Sequence, residues 1–394
     1  MKMSANRRLR VENLQALMAQ KDLSALVCRL PENVVYLTDY WPHHGISVAV
    51  LPREGKPILF VPEVEQEYTQ SEWAEVVPFG WGLLKDKELY ENYRLLIDSV
   101  VASWNLKGKK VGAELSFEVV APSYRIAEPV VPSGPWNTLL GEIFAESHLV
   151  DATPVLHEVR AIKTGYEIEK LRIANSIAEK AIQSTLKELK PGITETQIGA
   201  LIEYKIRSEG PGFQGAKLVR AEAEVGAGPV GSTKGTLLVP STTYRVQERD
   251  LVMIELATMV DGYFSDLTYM AVVGEPSPRQ KEVHNALLEA QQAAARELYP
   301  GNSFEAPDRA AREVLKRAGL DTYFVHITGH GVGMRYHEPI PLLAPGAKGV
   351  LQEGMVCSVE PGIYIPGFGG LRIEDNVLVG ANGPIFLSTP RQPW

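Results

Sequence analysis

The second half of this 394-residue chain contains an internal duplication, and that repeat restricts its fold more than any other feature. An amphipathic helix is predicted over residues 166–190 and ends at Pro191-Gly192, and another opens at Ser277 and ends at Pro300-Gly301, 109 positions after the first stop. A second helix and then a strand-rich segment follow each of them. A repeat of this kind predicts two similar halves related by a pseudo-twofold axis.

Each half of the repeat carries two acidic residues at matching places. Glu255 ends LVMIE and Glu360 ends VCSVE at an offset of 105, while Asp266 in YFSDLT matches Glu374 in LRIED at an offset of 108. Glycines lie between the two acids of each half, as expected for hairpins whose strands face one another. The pseudo-twofold axis is therefore predicted to gather all four carboxylates.

Four carboxylates in apolar strands are costly to bury without a compensating positive charge. A pair of divalent cations would supply that charge, and the candidate imidazole is His330 in the glycine-rich segment HITGHGVG. Oxygen ligands with one imidazole suit manganese, cobalt, iron or zinc. A single strand-end glutamate is more often solvated or ion-paired, and Gly-His-Gly more often marks a turn. It is the duplication that favours a metal site.

Length and composition limit the class of protein. A chain of this size exceeds one hydrophobic core, so two domains are expected, and 45% hydrophobic with 22% charged residues is typical of a globular protein. A net charge of -8 offers no basic surface for nucleic acid. No apolar run approaches the ~20 residues that span a bilayer, and no signal peptide is legible. With only Cys28 and Cys357 present, we expect a cytoplasmic location and a small or peptidic substrate.

The first 150 residues alternate helical and extended signals, which predicts a small α/β domain with a mixed sheet. Extended segments are expected over residues 24–27, 34–37, 47–51 and 57–61. The adjacent His43 and His44 could touch a substrate, although a surface loop is the commoner explanation of such a pair.

Three strings resemble a known family, the pita-bread metallopeptidases: HITGHGVGMRYHEP, GMVCSVEPGIYIPGFGG and LRIEDNVLV. Its members include Xaa-Pro aminopeptidase, prolidase and methionine aminopeptidase, with creatinase as a non-peptidase relative. The N-terminal half is similar to the creatinase/prolidase N-terminal domain around residues 10–17 and in NVVYLTDY. The resemblance implies an α/β (α+β) chain: a creatinase-like α/β domain over residues 1–155, then a pseudo-twofold pita-bread catalytic domain over residues 156–394.

The resemblance also implies a dinuclear site holding two divalent ions, with Mn²⁺ expected first and Co²⁺, Zn²⁺ or Fe²⁺ as alternatives. Its ligands would be Glu255, Asp266, His330, Glu360 and Glu374. Asp266 and Glu374 would lie nearest the midpoint of the two ions. A water of lowered pKa would attack the scissile carbonyl while Glu360 shuttles its proton.

Three further residues take roles by the same resemblance. His337 and His326 would contact the substrate and steady the carbonyl or the tetrahedral intermediate. Arg372 would orient the substrate or support the ligands. Such enzymes are commonly homodimers in which one subunit's N-terminal domain closes over its neighbour's site, which makes the loop over residues 41–44 a candidate lid element.

The sequence departs from the family pattern at three places. Glu255 stands where an aspartate is usual. Tyr269-Met270 follow the second acid in place of Arg-Thr, so a supporting charge is expected to be absent. A histidine usual about 17 residues before the first acid is also missing, and Leu238 lies near that place.

The function implied is metal-dependent hydrolysis of the Xaa-Pro bond in short peptides, as an aminopeptidase or a dipeptidase. Two alternatives stay open. One is hydrolysis of a C–N bond in a small non-peptide substrate, as creatinase or ectoine hydrolase performs on this scaffold. The other is a binding protein on a retired catalytic fold, against which four retained carboxylates argue.

Overall fold

The computed structural model describes residues 2–69, 74–82, 86–116, 133–233 and 240–394, with side chains from residue 8 onward. Leu238, which marks the place of the missing histidine, lies outside the described residues. The described chain packs as two compact units, one ending at Arg160 and one beginning at Ala161, and each is presented by itself. Helix Thr153–Ala161 spans the expected boundary between residues 155 and 156, so that boundary stays a prediction. Among the described helices, none is long and apolar enough to cross a membrane.

The first unit is built on one six-stranded mixed sheet. Its strands are β1 (Ala25–Cys28), β2 (Val48–Pro52), β3 (Ile58–Pro62), β4 (Glu75–Phe79), β5 (Lys110–Ala113) and β6 (His148–Asp151). They lie in the order β4-β3-β2-β1-β5-β6, with β1–β2 and β2–β3 antiparallel and the other neighbours parallel. The helices are α1 (Lys2–Gln20), α2 (Pro31–Thr38), α3 (Leu89–Ser103), α4 (Gly134–Ile143) and α5 (Thr153–Ala161). The mixed α/β sheet expected from the sequence is confirmed.

One local prediction in this unit is wrong: residues 34–37 are not extended but belong to helix α2. A short apolar run fits a strand or a buried helix equally well by periodicity. Pro31 lies in the first turn of α2, where main-chain N–H groups have no partner within the helix. The N–H that proline lacks therefore costs no helical hydrogen bond. The buried Glu114 carboxylate accepts hydrogen bonds from the main-chain N–H groups of Arg29 (2.6 Å) and Leu30 (3.0 Å) and from Asn33 Nδ2 (2.6 Å). These bonds fix the start of the helix.

The second unit contains the two halves of the repeat. The first half comprises α6 (Gly165–Leu186), α7 (Glu195–Glu209), β7 (Val219–Ala227), the single turn α8 (Gly228–Gly231), β8 (Leu251–Val260) and β9 (Tyr263–Val272). The second half comprises α9 (Pro278–Arg296), α10 (Ala306–Arg317), β10 (Gly329–Gly331), β11 (Glu338–Leu343), β12 (Val356–Val359), β13 (Gly362–Ile365), β14 (Gly369–Arg372), β15 (Asp375–Gly380) and β16 (Gly383–Phe386).

The predicted helix starts carry the expected caps. Gln197 N donates to Thr194 Oγ1 (3.1 Å), and Thr194 N donates to Gln197 Oε1 (2.9 Å). Ser277 and Gln280 make the same reciprocal pair at the start of α9. Because a capping box satisfies two main-chain donors that the helix itself cannot bond, these sequence signals fix where α7 and α9 begin.

Strands β8 and β9 form a tight hairpin that orients the first two acids. Asp261 and Gly262 both have positive φ, 52° and 94°, which suits a two-residue turn. Successive side chains of a strand alternate between faces. Val252, Ile254 and Leu267 therefore pack into one apolar cluster, whereas Leu251, Met253 and Met270 pack into another. By the same alternation Glu255, Asp266 and Thr268 share the face of the second set.

The two halves of the repeat meet beside these acids. Strands β7, β8 and β9 form a three-stranded antiparallel sheet, and β11-β10-β12-β15-β16 form a five-stranded one. An antiparallel bridge between Thr268 and Glu374 joins them. In the second sheet Val359 pairs with Asp375, so Glu360 and Glu374 leave neighbouring strands side by side. The hairpin geometry anticipated from the repeat is thus present in both halves.

Candidate metal centre

The structure brings all five predicted metal ligands into one buried cluster, together with His337. Potential ligand atoms lie within 4.8 Å of one another in three overlapping groups: Glu255, Asp266 and Glu374; His330, Glu360 and Glu374; and Asp266, His330 and His337. The four acids come in pairs from the two halves of the repeat. The carboxylate gathering expected from the duplication is therefore observed, while the role of each residue stays a prediction.

Asp266 is the centre of this cluster and is 1% exposed. Neither of its carboxylate oxygens has a hydrogen-bond partner in the described structure, and the imidazole Nε2 of His330 lies 3.4 Å from Oδ2. Burial and the charge of Glu255 raise the pKa of Asp266 well above its ordinary value. An orphaned buried carboxylate among other carboxylates is what a bound divalent cation would satisfy, so this donor set fits a metal.

His330 is oriented with one ring nitrogen toward the acids. Its Nδ1 lies 2.9 Å from the carbonyl oxygen of Gly331, which can only accept, so Nδ1 carries the proton of that bond. Nε2 then faces Oε1 of Glu360 at 3.1 Å. A histidine whose second nitrogen bonds a main-chain carbonyl is typical of metal ligands, because that bond fixes the ring and its tautomer.

Without a metal, His330 and Glu360 form an ion pair. Burial works to lower the pKa of His330, but the hydrogen bond and charge of Glu360, with the charge of Asp266, outweigh it and raise the pKa to about 9. Burial likewise works to raise the pKa of Glu360, and the bond and charge of His330 lower it to about 2. Ser358 Oγ donates a further hydrogen bond to Glu360 Oε1 (3.0 Å).

Glu255 is the acid with the most partners. Arg372 donates a charge-assisted hydrogen bond to Oε2, and the Tyr336 hydroxyl donates to Oε1. Burial works to raise the pKa of Glu255, but Arg372, then Tyr336 and Thr268, lower it below its ordinary value. Glu255 therefore stays ionised while Asp266 beside it favours the protonated form.

Thr268 connects the two halves of the cluster. Its Oγ1 lies 2.7 Å from Oε2 of Glu255 and 2.7 Å from Oε2 of Glu374, and it accepts from Arg372 Nε (2.8 Å). One hydroxyl can donate to only one of these carboxylates at a time. Burial and the charge of Asp266 raise the pKa of Glu374 well above its ordinary value, which agrees with a shared proton in this region.

The other predicted residues lie at different distances from the carboxylates. His337 packs its ring edge-on to His330, with centroids 4.3 Å apart, beside the ligands. His326 lies farther away: its Nε2 is 3.0 Å from the hydroxyl of Tyr364, which accepts from Arg372 Nη1 (3.1 Å). Arg372 thus reaches Glu255 on one side and His326, through Tyr364, on the other.

Sequence reasoning missed several residues that contact the predicted ligands. Thr268 follows Asp266 by two positions, and the two-residue period of a strand could have placed it on the same face. Tyr336 directly precedes His337 but belongs to no pattern. The expectation that a supporting charge is absent after Asp266 stays a prediction; the ring centroid of Tyr269 lies 3.5 Å from the guanidinium of Arg391. That arginine belongs to the C-terminal tail, 122 positions away, so no local signal could have revealed it.

Comparison with known proteins follows this division of the chain. Residues 169–381 match the model of Metallopeptidase family M24, and residues 10–162 match that of the Creatinase/Prolidase N-terminal domain. The first match covers more than half of the chain. This chain belongs to metallopeptidase family M24. The family and fold class expected from the sequence are confirmed.

This M24 metallopeptidase is similar to curated relatives over nearly its whole length. It is 32% identical to the Xaa-Pro dipeptidase of Pyrococcus furiosus over 374 residues, which are 95% of this chain and 96% of that protein. It is also 32% identical to the Xaa-Pro dipeptidase of Lactobacillus helveticus over 358 residues, 90% of this chain and 89% of that one. Among solved structures, a recombinant prolidase from Thermococcus sibiricus superposes with a TM-score of 0.80 at 28% identity, covering 97% of both chains.

Proposed function

We propose that this member of the M24 family is an Xaa-Pro dipeptidase, which hydrolyses the bond between a residue and a following proline in short peptides. The observation that carries this proposal is the similarity to the Pyrococcus furiosus Xaa-Pro dipeptidase over 95% of this chain and 96% of that one, which includes both domains. The buried group of four carboxylates and His330 supports it, because such oxygen and nitrogen donors suit divalent metals.

Two divalent ions are the cofactor we propose, with Mn²⁺ first and Co²⁺, Zn²⁺ or Fe²⁺ as alternatives. Glu255, Asp266, His330, Glu360 and Glu374 would hold the ions, because their potential ligand atoms lie close together in overlapping groups. When bound, these ions would supply a water of lowered pKa and polarise the scissile carbonyl. The oxygens of Asp266 that lack hydrogen-bond partners support this assignment, because they are available as ligand atoms.

The protein's own groups would then move protons and orient the substrate. Glu360 would accept the proton of the attacking water and pass it to the proline nitrogen as the bond breaks. His337 would donate a hydrogen bond to the substrate carbonyl as negative charge develops there. Arg372 would hold Glu255 and, through the hydroxyl of Tyr364, the ring of His326.

A homodimer is the assembly we propose, with the loop over residues 41–44 as a lid element for the neighbouring subunit. The loop is preformed, which supports that role. The buried Glu65 accepts from the main-chain N–H groups of His43 (3.2 Å) and His44 (3.0 Å) and from the hydroxyl of Tyr40. A cytoplasmic location is proposed from the two buried free cysteines, Cys28 and Cys357.

The experiment that tests the function combines metal analysis with a substrate panel. The protein is stripped with a chelator, reloaded with each metal, and assayed on Xaa-Pro dipeptides, Xaa-Pro tripeptides, Ala-Ala and creatine. We expect about two metal equivalents and chelator-sensitive cleavage of the Xaa-Pro dipeptides. Asp266→Asn should abolish metal binding and Xaa-Pro cleavage. Asp321 is an exposed acid outside the cluster, so Asp321→Asn should change neither the metal content nor the cleavage.

The other outcomes point elsewhere. Preference for tripeptides would indicate an Xaa-Pro aminopeptidase. Bound metal with no Xaa-Pro cleavage would overturn the peptidase proposal and direct the search to small C–N substrates such as creatine. Absence of bound metal would overturn the proposed site itself.

A further inference from the structure

One guanidinium from the C-terminal tail joins the two strands that carry the central acids of the cluster. Arg391 Nη1 donates to the hydroxyl of Tyr269 (2.7 Å), three residues beyond Asp266 on β9. Arg391 Nη2 donates to the main-chain carbonyl oxygen of Glu374 (3.2 Å) and lies 2.9 Å from Oδ1 of Asp375. The side chain of Arg391 is 12% exposed, so these contacts are shielded from water.

Asp375 forms a buried ion pair with this arginine. It is fully buried, and Ser388 Oγ (2.6 Å) and Gln291 Nε2 (2.8 Å) donate to its carboxylate. In the part of the chain that the structure describes, Arg391 is its one ion-pair partner. Removal of one partner from a buried pair leaves an uncompensated charge, and the surrounding chain must rearrange around it.

The segment 374–376 has little freedom to shift without moving a metal ligand. Asn376 bonds both main-chain groups of Asp266, accepting from its N–H (2.9 Å) and donating to its carbonyl oxygen (2.8 Å). Glu374 N donates to the carbonyl oxygen of Thr268 (3.3 Å). The separation of Asp266 and Glu374 therefore depends on the position of the residues that Arg391 holds.

The tail itself is fixed at a second point. Glu179 of α6 accepts from Thr389 N (2.6 Å) and from the hydroxyl of Tyr269 (2.9 Å), and its carboxylate lies 3.5 Å from Arg391 Nη1. The guanidinium is thus held between two acids and the face of an aromatic ring.

We infer that Arg391 is a positioning residue of the metal centre, which sets the spacing of Asp266 and Glu374 through Asp375 and the main chain of Glu374. This inference rests on the proposed function. The tail supplies the charge that the sequence lacks at position 269, where the family pattern has arginine and this chain has tyrosine. The guanidinium of Arg391 comes from the tail and packs on the ring of Tyr269, the residue that stands at this position.

The test compares metal affinity among matched variants of the full chain. Apo protein is titrated with Mn²⁺ for the wild type, Arg391→Ala, Arg391→Lys and Gln392→Ala, the last an exposed neighbour whose side chain bonds only Pro390 in the described structure. Loss of a group that orients metal ligands typically weakens binding 10–100-fold, so we expect Arg391→Ala to bind Mn²⁺ about tenfold more weakly. Gln392→Ala should match the wild type.

A second variant tests whether a guanidinium placed at position 269 restores the metal affinity that Arg391→Ala loses. The double variant Arg391→Ala, Tyr269→Arg places a guanidinium in the region between Glu179 and Asp375 from the opposite side, and it should recover most of the lost affinity. In steady-state assays Arg391→Ala should lower kcat with little change in KM, because the guanidinium is bonded to Tyr269, Glu374 and Asp375 within the protein.

Three results would count against this inference. The Arg391→Ala variant could melt at a lower temperature yet bind Mn²⁺ and turn over substrate like the wild type. That result would show that the arginine only anchors the tail. Failure of the Tyr269→Arg rescue in a folded protein would also overturn it. If the wild type binds metal but cleaves no Xaa-Pro peptide, the proposed function fails while the affinity ratio still decides the role of Arg391. A wild type that binds none of Mn²⁺, Co²⁺, Zn²⁺ and Fe²⁺ overturns both.

Discussion

The hydroxyl of Tyr336 donates a hydrogen bond to Oε1 of Glu255 inside the carboxylate cluster. Glu255 is one methylene longer than the aspartate usual at this place, and its carboxylate reaches both this phenol and Arg372. The ring of Tyr336 packs between Phe264 and His337, with centroids 6.4 Å and 4.5 Å away. The longer acid and the buried phenol thus form a matched pair.

Tyr336→Phe removes only the hydroxyl of this pair. We expect one of the two metal equivalents to bind about tenfold more weakly, because Glu255 loses a bond that orients it as a ligand. Titration of apo protein with Mn²⁺ measures this. Tyr299→Phe, a tyrosine that is 44% exposed and outside the cluster, is the matched control. Unchanged affinity in Tyr336→Phe would show that the phenol does not orient Glu255.

Thr268→Val replaces the hydroxyl between Glu255 and Glu374 with a methyl group of similar size. Arg372 Nε loses an acceptor and the two buried carboxylates lose the one donor that they share, so we expect the free energy of unfolding of the apo protein to fall by about 1–3 kcal/mol. Thr268→Ser keeps the hydroxyl and should lose far less. Urea denaturation in the presence of chelator compares the two, and equal losses would contradict a hydrogen-bonding role.

The apo protein should lose stability as the pH rises from about 6.5 to about 9. The folded pKa of His330, about 9, lies above its ordinary 6.5, so its contribution is complete below pH 6.5 and is lost as the pH approaches 9. The raised pKa values of Asp266 and Glu374 act in the same direction, because the folded state retains protons that the unfolded state has released. The shift of His330 by itself should lower the free energy of unfolding by an amount on the order of 3 kcal/mol.

Denaturant midpoints measured across this pH range, with chelator and with saturating Mn²⁺, test this prediction. The metal-loaded protein should show little of the decline, because a divalent cation takes over the neutralising role of the protons. Glu360, with a pKa of about 2, predicts a separate loss of stability as the pH falls from 4.5 toward 2. A flat apo profile between pH 6.5 and 9 would contradict the ion pair of His330 and Glu360.

Glu114→Ala tests the first unit independently of the metal centre. Two main-chain donors at the start of α2 and the side-chain amide of Asn33 lose their acceptor. We expect a decrease of about 1–3 kcal/mol in the free energy of unfolding. Glu32→Ala, a half-buried acid in the first turn of the same helix, is the control that loses a carboxylate without exposing these donors. An equal effect of both changes would argue against the special role of Glu114.

The sequence predicted what depends on local pattern or on the repeat. Thr194 and Ser277 marked helix starts because a capping box needs only residues three positions apart. Glu255 and Glu360 could be paired because each ends a short apolar run at an equivalent place in the two halves. Alternation along β8 and β9 then put the acids on one face, which is why the cluster could be anticipated without a structure.

What could not be predicted depends on contacts between distant segments. The four apolar residues of 34–37 become helical because Glu114, which directly follows β5, satisfies the donors that precede them. Tyr336 acquires its partner only when β8 and the segment before β11 come together. Arg391 meets Tyr269 across 122 positions of chain, so its charge could be counted in the composition but not located.

The pairing of acids from the two halves has an evolutionary consequence. Glu255 and Asp266 belong to one half, whereas His330, Glu360 and Glu374 belong to the other, and neither set alone completes the cluster. An ancestor that contained one copy of the repeat would have assembled a comparable site only where two such chains met. The cluster would then lie on the symmetry axis between them. Gene fusion would then have freed each copy to diverge, so that one half could acquire an imidazole and the other a longer acid.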